Sequence, residues 1–538
     1  MQAKVNPGKP GVMQTQTLES LVMRSAAEPE NYNLQLQLAY FYSENGDADH
    51  ALSCFRRVMQ LTEHHLKHLA PFCAVLHKYG FSQQAASLYA DYCCLFPTKA
   101  SLFYNHAFYL RFAGQYSAAI AQYQHALQLN ISEPEEVLLN IAVIYSDHLR
   151  QEENARQTLM SALQLKPDYV PALYNLANLA EERGDKAEAE ALFRRVLDAD
   201  PKYYQAYARL ADVVTFNSKD DLLLTQLKRV LNEPSVAQDS RINLHYALGK
   251  AFDECGAYAE AFEQFNAANK LNSLTMPPYV PSETERQIQQ IIHTLDRDWL
   301  DKHMQRNDAS PIFICGMFRS GSTLAEQILA QHSQITAGGE IDFFHKHLRN
   351  IYPQQFTTVS AADLTQLASR YLEYCEQCFP AAIRLTDKRP DNYLYMGLLK
   401  ALFPRAKFIY TKRNKIDNCL SVFFLRLGSA MNYANSLQDT IHYYQQHEIL
   451  MSHWQQMFGQ DIYTLDYDQL VMHPETTLKP LLGFLGLEYQ AELLHFHTAK
   501  NAVKTASVWQ VRKPLYKSAS GRRHNYSDIL PVSPESEA

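Results

Sequence analysis

At 538 residues, 46% hydrophobic and 20% charged, the chain is long enough for two to four domains, each with its own core. A net charge of -7 and a pI near 6.3 exclude a protein whose main task is to grip nucleic acid or an anionic membrane, so any basic site must be local. Nine scattered cysteines exclude a secreted disulfide framework; with no signal-peptide core in "MQAKVNPGKPGVMQTQ" and no run near ~18 apolar residues, the expected location is the cytoplasm, without a membrane span.

After a tail over residues 1–29, five segments carry Gly, then Ala five residues later, then Phe or Tyr four after that. They are Gly46/Ala51/Phe55, Gly80/Ala85/Tyr89, Gly114/Ala119/Tyr123, Gly184/Ala189/Phe193 and Gly256/Ala261/Phe265. The first three glycines are 34 residues apart, the period of tetratricopeptide repeats. In "LYNLANLAEERGDKAEAEALFRRVLDADP", Ala177 and Ala189 let two helices approach, Gly184 allows the turn, Phe193 fills the groove and Pro201 closes the unit. Two degenerate units fill the gaps. One lies around Ala155 and Leu159, with Arg150 at the glycine position, and the other is "YARLADVVTFNSKDD". The spacing predicts about seven helical hairpins over residues 30–275, a solenoid whose concave face suits a peptide or protein. Such a solenoid supplies no chemistry itself.

The prolines and polar residues of "NSLTMPPYVPSETERQIQQII" read as a linker leading to a connecting helix with Trp299, over residues 276–308. From residue 309 to 530 strands and helices alternate, before a tail over residues 531–538. "PIFICGMFRSGSTLAEQIL" reads as strand, glycine turn and amphipathic helix, the build of a phosphate-binding loop. Gly316 and Gly321 keep the spacing of G-x-x-x-x-G-K-[ST], yet Ser322 stands at the lysine position. Backbone N–H groups and a helix N-terminus would face an anion there. Ser320, Ser322 and Thr323 add hydroxyls, and Arg319 supplies the charge with a fork suited to an ester oxyanion. Without the lysine or a clear acid for Mg²⁺, ATP hydrolysis is a poor fit, and a non-catalytic anion site is the alternative.

Next come "SQITAGGEIDFF", "AIRLTDKRPDN", the helix "LYMGLLKALFP", the strand "KFIYTKRN", the helix "IDNCLSVFFLRLG" and the strand of "DIYTLDYDQLV". The order predicts a parallel α/β sheet with binding groups at strand C-termini. Cys375 and Cys378 have C-x-x-C spacing, but with no second pair they read as helix residues. "YTKRNKIDNCLS" sets Tyr410, Arg413, Asn414, Asp417 and Ser421 on a strand end and helix start. Whether Arg413 and Ser421 meet on one ligand depends on how the strand end curls back. Two anion sites on one sheet suggest a nucleotide phosphorylated at both ends.

"FRSGST" resembles the 5′-phosphosulfate loop of sulfotransferases, and Y-x-x-R-N-x-x-D-x-x-x-S, Tyr410 through Ser421, is similar to their 3′-phosphate motif. Within that superfamily the similarity is to protein-tyrosine sulfotransferases and to bacterial proteins fusing tetratricopeptide repeats to a sulfotransferase domain. The resemblance implies an α-helical TPR solenoid followed by an α/β P-loop-like sulfotransferase domain with a central parallel sheet. It implies 3′-phosphoadenosine 5′-phosphosulfate as donor, and no metal. Arg319, Ser320, Gly321, Ser322 and Thr323 would hold the 5′-phosphosulfate, and Arg413 with Ser421 the 3′-phosphate. Glu340 matches the family's general base, with Asp342 its offset local rival. Lys388 matches a lysine stabilising the transferring group and the departing oxygen, a role that Arg389 could also fill. His332, His345 and His347 do not clearly take the base role that histidine has in cytosolic relatives. Tyr467 matches a nucleotide-contacting tyrosine, or else belongs to core and helix capping. The basic tail "KTASVWQVRKPLYKSASGRRHNY" resembles a segment closing over the cofactor, with Ser507 and Lys513 the matching contacts. Arg523 stands where related bacterial tails tend to carry tryptophan.

Two functions remain open on the sequence. One is sulfuryl transfer to a hydroxyl, with the repeats recruiting an acceptor peptide or protein; a peptide tyrosine is implied by the resemblance, while a saccharide or small phenol would need the same cofactor site. The other is a repeat scaffold with a non-catalytic nucleotide-binding domain.

Overall fold

The computed structural model describes residues 18–348, 351–498, 511, 512, 514, 515 and 520–530. They form two compact units, Met1–Leu176 and Ala177–Ala538. Among the described residues no helix is long and apolar enough to cross a membrane.

The first unit is a run of helical hairpins, among them Tyr32–Glu44 with Ala48–Leu61, Leu66–Lys78 with Ser82–Leu95, Ala100–Phe112 with Tyr116–Gln128, and Pro134–Val143 with Glu152–Leu165. The repeated small and aromatic positions form its core: Ala51, Phe55, Ala85, Tyr89, Ala119 and Tyr123 are almost completely buried. Phe55 stacks on Phe72 of the next hairpin with centroids 4.4 Å apart, so the aromatic position of one unit fills the groove of its neighbour. The turn glycines Gly46, Gly80 and Gly114 all have φ between 78° and 89°, and Arg150 adopts the same left-handed backbone at φ 54°. The degenerate unit therefore keeps the turn without the glycine.

The second unit continues with helices Lys186–Ala199, Tyr204–Val213, Leu222–Leu231, Gln238–Glu254 and Tyr258–Ser273. The last of these is built into the domain that follows. Asn269 is buried and satisfied on both sides of its amide: Nδ2 donates to the carbonyls of Phe265 (2.9 Å) and Phe423 (2.8 Å), and Oδ1 accepts from Tyr246 (2.7 Å). Asn272 likewise donates to Leu427 O and to Asn435 Oδ1. The stretch read as a linker is structured too. Helix Pro281–Thr294 sends Ile288 and Ile291 into the core of the α/β part, and Trp299 of helix Arg297–His303 donates its indole N–H to Phe356 O at 2.8 Å.

The sheet comprises β1 (Ile312–Gly316), β2 (Ile335–Ala337), β3 (Arg384–Lys388), β4 (Lys407–Lys412) and β5 (Ile462–Asp466), all parallel in the order β2-β3-β1-β4-β5. Both faces are covered, which is why β1 is apolar at every position: Phe313 and Cys315 join one core, Ile312 and Ile314 the other. Full burial of one such side chain contributes roughly 1.5–3 kcal/mol. From β1 the chain runs towards the β3 edge, and from β4 towards β5. The crevice beyond the C-termini of β1 and β4 is thus the switch point, where open α/β sheets bind ligands.

The alternation of β3 separates two acidic or basic neighbours. Asp387 points to the side where Tyr371 Oη (2.9 Å) and Asn392 Nδ2 (3.0 Å) donate to it. Burial pushes its carboxyl up to about 7, against those two hydrogen bonds. An unfolded aspartate titrates near ~3.9, so the folded chain holds this proton more tightly. The stability it contributes is full below about pH 4 and is lost as the pH rises through about 7. Asp387→Asn is expected to remove that slope. In urea unfolding the variant should gain on wild type by up to ~4 kcal/mol between pH 4 and 8, and a difference independent of pH would refute it.

Candidate active site

The loop after β1 turns through Arg319, whose φ of 69° is unusual for a residue with a side chain. Gly321 follows at φ 102° and caps helix Ser322–Leu329. A Cβ on Gly321 would lie 2.5 Å from the Tyr467 ring, so the glycine is required by the close approach of that tyrosine as well as by its backbone. Ser322 and Thr323 are buried in the first helical turn. Ser320, whose hydroxyl the sequence offers to an anion, also has partners within the protein. Its hydroxyl lies 2.6 Å from Thr411 Oγ1, which itself donates to Cys315 O, and its N–H donates to Met317 O. Ser320 therefore fixes the loop on β4.

The second motif curls back onto this loop. Arg319 Nε donates to Ser421 Oγ at 3.2 Å, Asn418 Nδ2 to Phe318 O at 3.2 Å, and Arg413 Nη1 lies 3.5 Å from Arg319 O. Arg413 is mostly buried, with its guanidinium 4.9 Å from the centroid of the Tyr467 ring. Tyr444 Oη donates to Arg413 O and pins the strand end. Tyr467 thus serves neither purely core nor purely capping. It backs both Gly321 and Arg413.

Asp417, in the first turn of helix Lys415–Phe423, is fully buried. It accepts from the N–H of Gly521 (2.7 Å) and of Arg523 (2.6 Å), and pairs with Arg523 Nη1 at 3.1 Å. Arg523 is thus held by a buried carboxylate. Arg522 and Tyr526 of the same segment reach Asp253 on helix Gln238–Glu254. Ser507 and Lys513 lie outside the described residues.

Glu340 and Lys388 are brought together. Lys388, at the end of β3, is 1% exposed and donates from Nζ to Glu340 Oε1 at 2.7 Å, while Glu340 is 38% exposed. The loop carrying Glu340 is held by its own backbone: Gly339 O accepts from Lys388 N, and Gly339 N donates to the buried carboxylate of Glu326. Glu326 also accepts from Thr386 Oγ1, and burial pushes its carboxyl up against the opposing charge of Lys388. Asp342 turns elsewhere, to Arg389 and, at 3.5 Å, to Lys346. Arg389 is shared between Asp342 and Asp391. Lys388 therefore serves Glu340, while Asp342 and Asp391 meet at Arg389.

A cavity of about 470 Å³ adjoins these groups, with Gly316, Met317, Phe318 and Glu340 on its wall. His345 lines it and lies 3.9 Å from Asp391; His332 and His347 are bound to the carbonyls of Glu488 and Phe343. Cys375 and Cys378 fall on helix Ala361–Cys378, where burial pushes the Cys375 thiol up to about 12. Among the described residues no three His, Cys, Asp or Glu side chains could hold a metal ion.

Several supporting groups were not singled out from the sequence. Thr411, Asn418 and Glu326 act through contacts with residues distant in the chain, and no local spacing announces them. Asp417 lay within the quoted motif, but its partners are more than a hundred residues away.

A strand-loop-helix turn joined to a second basic motif at a switch point is an arrangement suited to an anionic ligand. The residues present fit an anionic group: Arg319 and Arg413, the hydroxyls of Ser322, Thr323 and Ser421, and the helix N-terminus at Gly321. Residues 311–491 match the sulfotransferase family, and residues 32–65 and 150–212 match the tetratricopeptide repeat. The chain therefore carries tetratricopeptide repeats and a sulfotransferase-family domain. It is similar to an uncharacterized protein of Aquifex aeolicus (29% identical over 394 residues, 70% of this chain and 51% of that protein). Its C-terminal part is similar to a putative protein-tyrosine sulfotransferase of Caenorhabditis briggsae (25% identical, 36% of this chain, 71% of that protein). Protein-tyrosine sulfotransferase 1 of Danio rerio is 26% identical over 35% of this chain and 56% of that protein. The chain thus spans about half the length of the Aquifex and Danio relatives. Among solved structures, the sulfotransferase domain from the Synechococcus PCC 7002 olefin synthase is 19% identical over 43% of this chain and 91% of that chain, with a TM-score of 0.33.

Proposed function

We propose that the domain beginning at Pro311 is a sulfotransferase using 3′-phosphoadenosine 5′-phosphosulfate, and that the repeats recruit the acceptor or a partner protein. The observation that supports this most is the hydrogen bond from Arg319 to Ser421, which brings the two anion motifs to one crevice. When bound, the donor supplies a sulfuryl group whose sulfur bonds to the acceptor oxygen as its bond to the bridging phosphate oxygen breaks, leaving adenosine 3′,5′-bisphosphate. Arg319, the N–H groups at Gly321 and Ser322, and the hydroxyls of Ser322 and Thr323 hold the 5′ end. Arg413 and Ser421 hold the 3′-phosphate, with the Tyr467 ring backing the arginine. Glu340 takes the acceptor proton at its carboxylate oxygen. Lys388 orients Glu340 through their ion pair and stands ready for charge on the departing oxygen. Its burial keeps that cation out of water, where a charge acts more strongly. A tyrosine acceptor is in keeping with the protein-tyrosine relatives.

The test is calorimetry of the full chain with 3′-phosphoadenosine 5′-phosphate, followed by transfer of label from the donor to phenol, sugar and peptide acceptors. Binding with transfer is expected. Binding without transfer to any acceptor would favour a repeat scaffold with a non-catalytic nucleotide module, and absence of binding would overturn the proposal.

A further inference from the structure

We infer that the acceptor is a phenolic hydroxyl in neutral or cationic surroundings, carried by a small molecule or by a tyrosine in a basic segment. This rests on the sulfotransferase reading above. The cavity beside Glu340, about 470 Å³, lies in the size range that encloses a drug-sized ligand. Its wall is rich in tyrosine: Tyr279, Tyr352, Tyr393, Tyr395, Tyr433 and Tyr443. Tyr433 and Tyr443 stack at 3.8 Å and 7°, and Tyr393 and Tyr443 share a hydrogen bond of 2.8 Å, so these faces are fixed before any ligand arrives. Fixed tyrosine faces favour an aromatic ring by stacked or edge contact and attract a cation.

The charges on the wall point the same way. The wall carries the acids Glu283, Glu340 and Asp391 together with Arg389 and His345. Arg389 is already shared by Asp342 and Asp391, and His345 lies against Asp391. Glu340 is paired with Lys388. An acceptor with carboxylates beside its hydroxyl would meet Glu283 and Asp391 while the cations on the described wall are held by their own partners. Charges of one sign several ångströms apart repel appreciably in a partly dry cleft. Tyr279 and Glu283 come from the segment that links the repeats to the sheet, so that segment sets acceptor choice as well as connecting elements.

The experiment uses the full chain, the donor and three probes: 2-naphthol, a tyrosine peptide flanked by lysines, and the same peptide flanked by glutamates. Nucleotide binding is measured in parallel. The naphthol or the lysine peptide should exceed the glutamate peptide in kcat/KM by ~10-fold or more, and which of the two leads identifies a small molecule or a peptide as the source. Glu283→Lys, with Glu283→Gln as the milder variant, should narrow that gap without changing nucleotide affinity. A glutamate peptide as good as the others, an unchanged gap in both variants, or nucleotide binding with no probe sulfated would overturn the inference alone. Loss of nucleotide binding in wild type would overturn the sulfotransferase reading with it.

Discussion

Glu340→Gln is expected to lower kcat by ~10²–10⁴-fold, the usual worth of a positioned general base, with little change in nucleotide affinity. Glutamine keeps the shape and can still accept from Lys388, so the loop set by Gly339 should survive; what is lost is the ability to take the acceptor proton. The comparison that decides the base is Asp342→Asn. Asp342 is tied to Arg389 and Lys346, away from Lys388, and its variant should retain most of kcat. A large loss in Asp342→Asn with near-normal Glu340→Gln would reverse the assignment. Lys388→Ala should also reduce kcat steeply, and here part of the loss is positional, because Glu340 loses the cation that orients it.

Arg413→Ala is expected to weaken 3′-phosphoadenosine 5′-phosphate by ~10–100-fold, the worth of a charge-assisted hydrogen bond or two. Adenosine 5′-phosphate, which lacks the 3′ group, should lose far less. That difference separates loss of a specific contact from general damage to the crevice. Arg413→Lys should fall between, since a point charge cannot reproduce the fork that lies over Tyr467. Equal losses for both nucleotides would show that Arg413 supports the loop, through Arg319 O, rather than the 3′-phosphate.

Much of this architecture is legible in the sequence because it is periodic or local. The Gly, Ala and aromatic positions of the repeats recur in register, and the turn geometry survives even where Arg150 replaces glycine. β1 is wholly apolar and β4 and β5 keep several apolar residues, while β3, with Leu385 as its one apolar residue, is legible from its place in the strand and helix order. β2, only Ile335–Ala337, is too short for such a signal, and "SQITAGGEIDFF" marks only its neighbourhood. The helix expected over "LYMGLLKALFP" begins at Met396, because Pro390 starts a tighter 3-10 turn that runs to Tyr395. The segment after the repeats looked like a connector because its prolines and polar residues dominate the local pattern. Its Ile288, Ile291 and Trp299 nevertheless enter the core, a role visible only once the surface they cover exists.

The sequence by itself determined the two kinds of architecture and the strand-loop-helix turn that carries Arg319 inside the loop and Ser322 at the lysine position. Those are properties of short stretches, where spacing along the chain fixes spacing in space. Only the tertiary structure decided that Arg319 meets Ser421, that Lys388 chooses Glu340 while Arg389 takes Asp342, that Ser320 is engaged by Thr411, and that tyrosines from four separate segments wall one cavity. Each of these joins residues dozens to more than a hundred positions apart. Their pairing depends on strand order and register, which place β1 between β3 and β4, and no local pattern in the chain encodes that order.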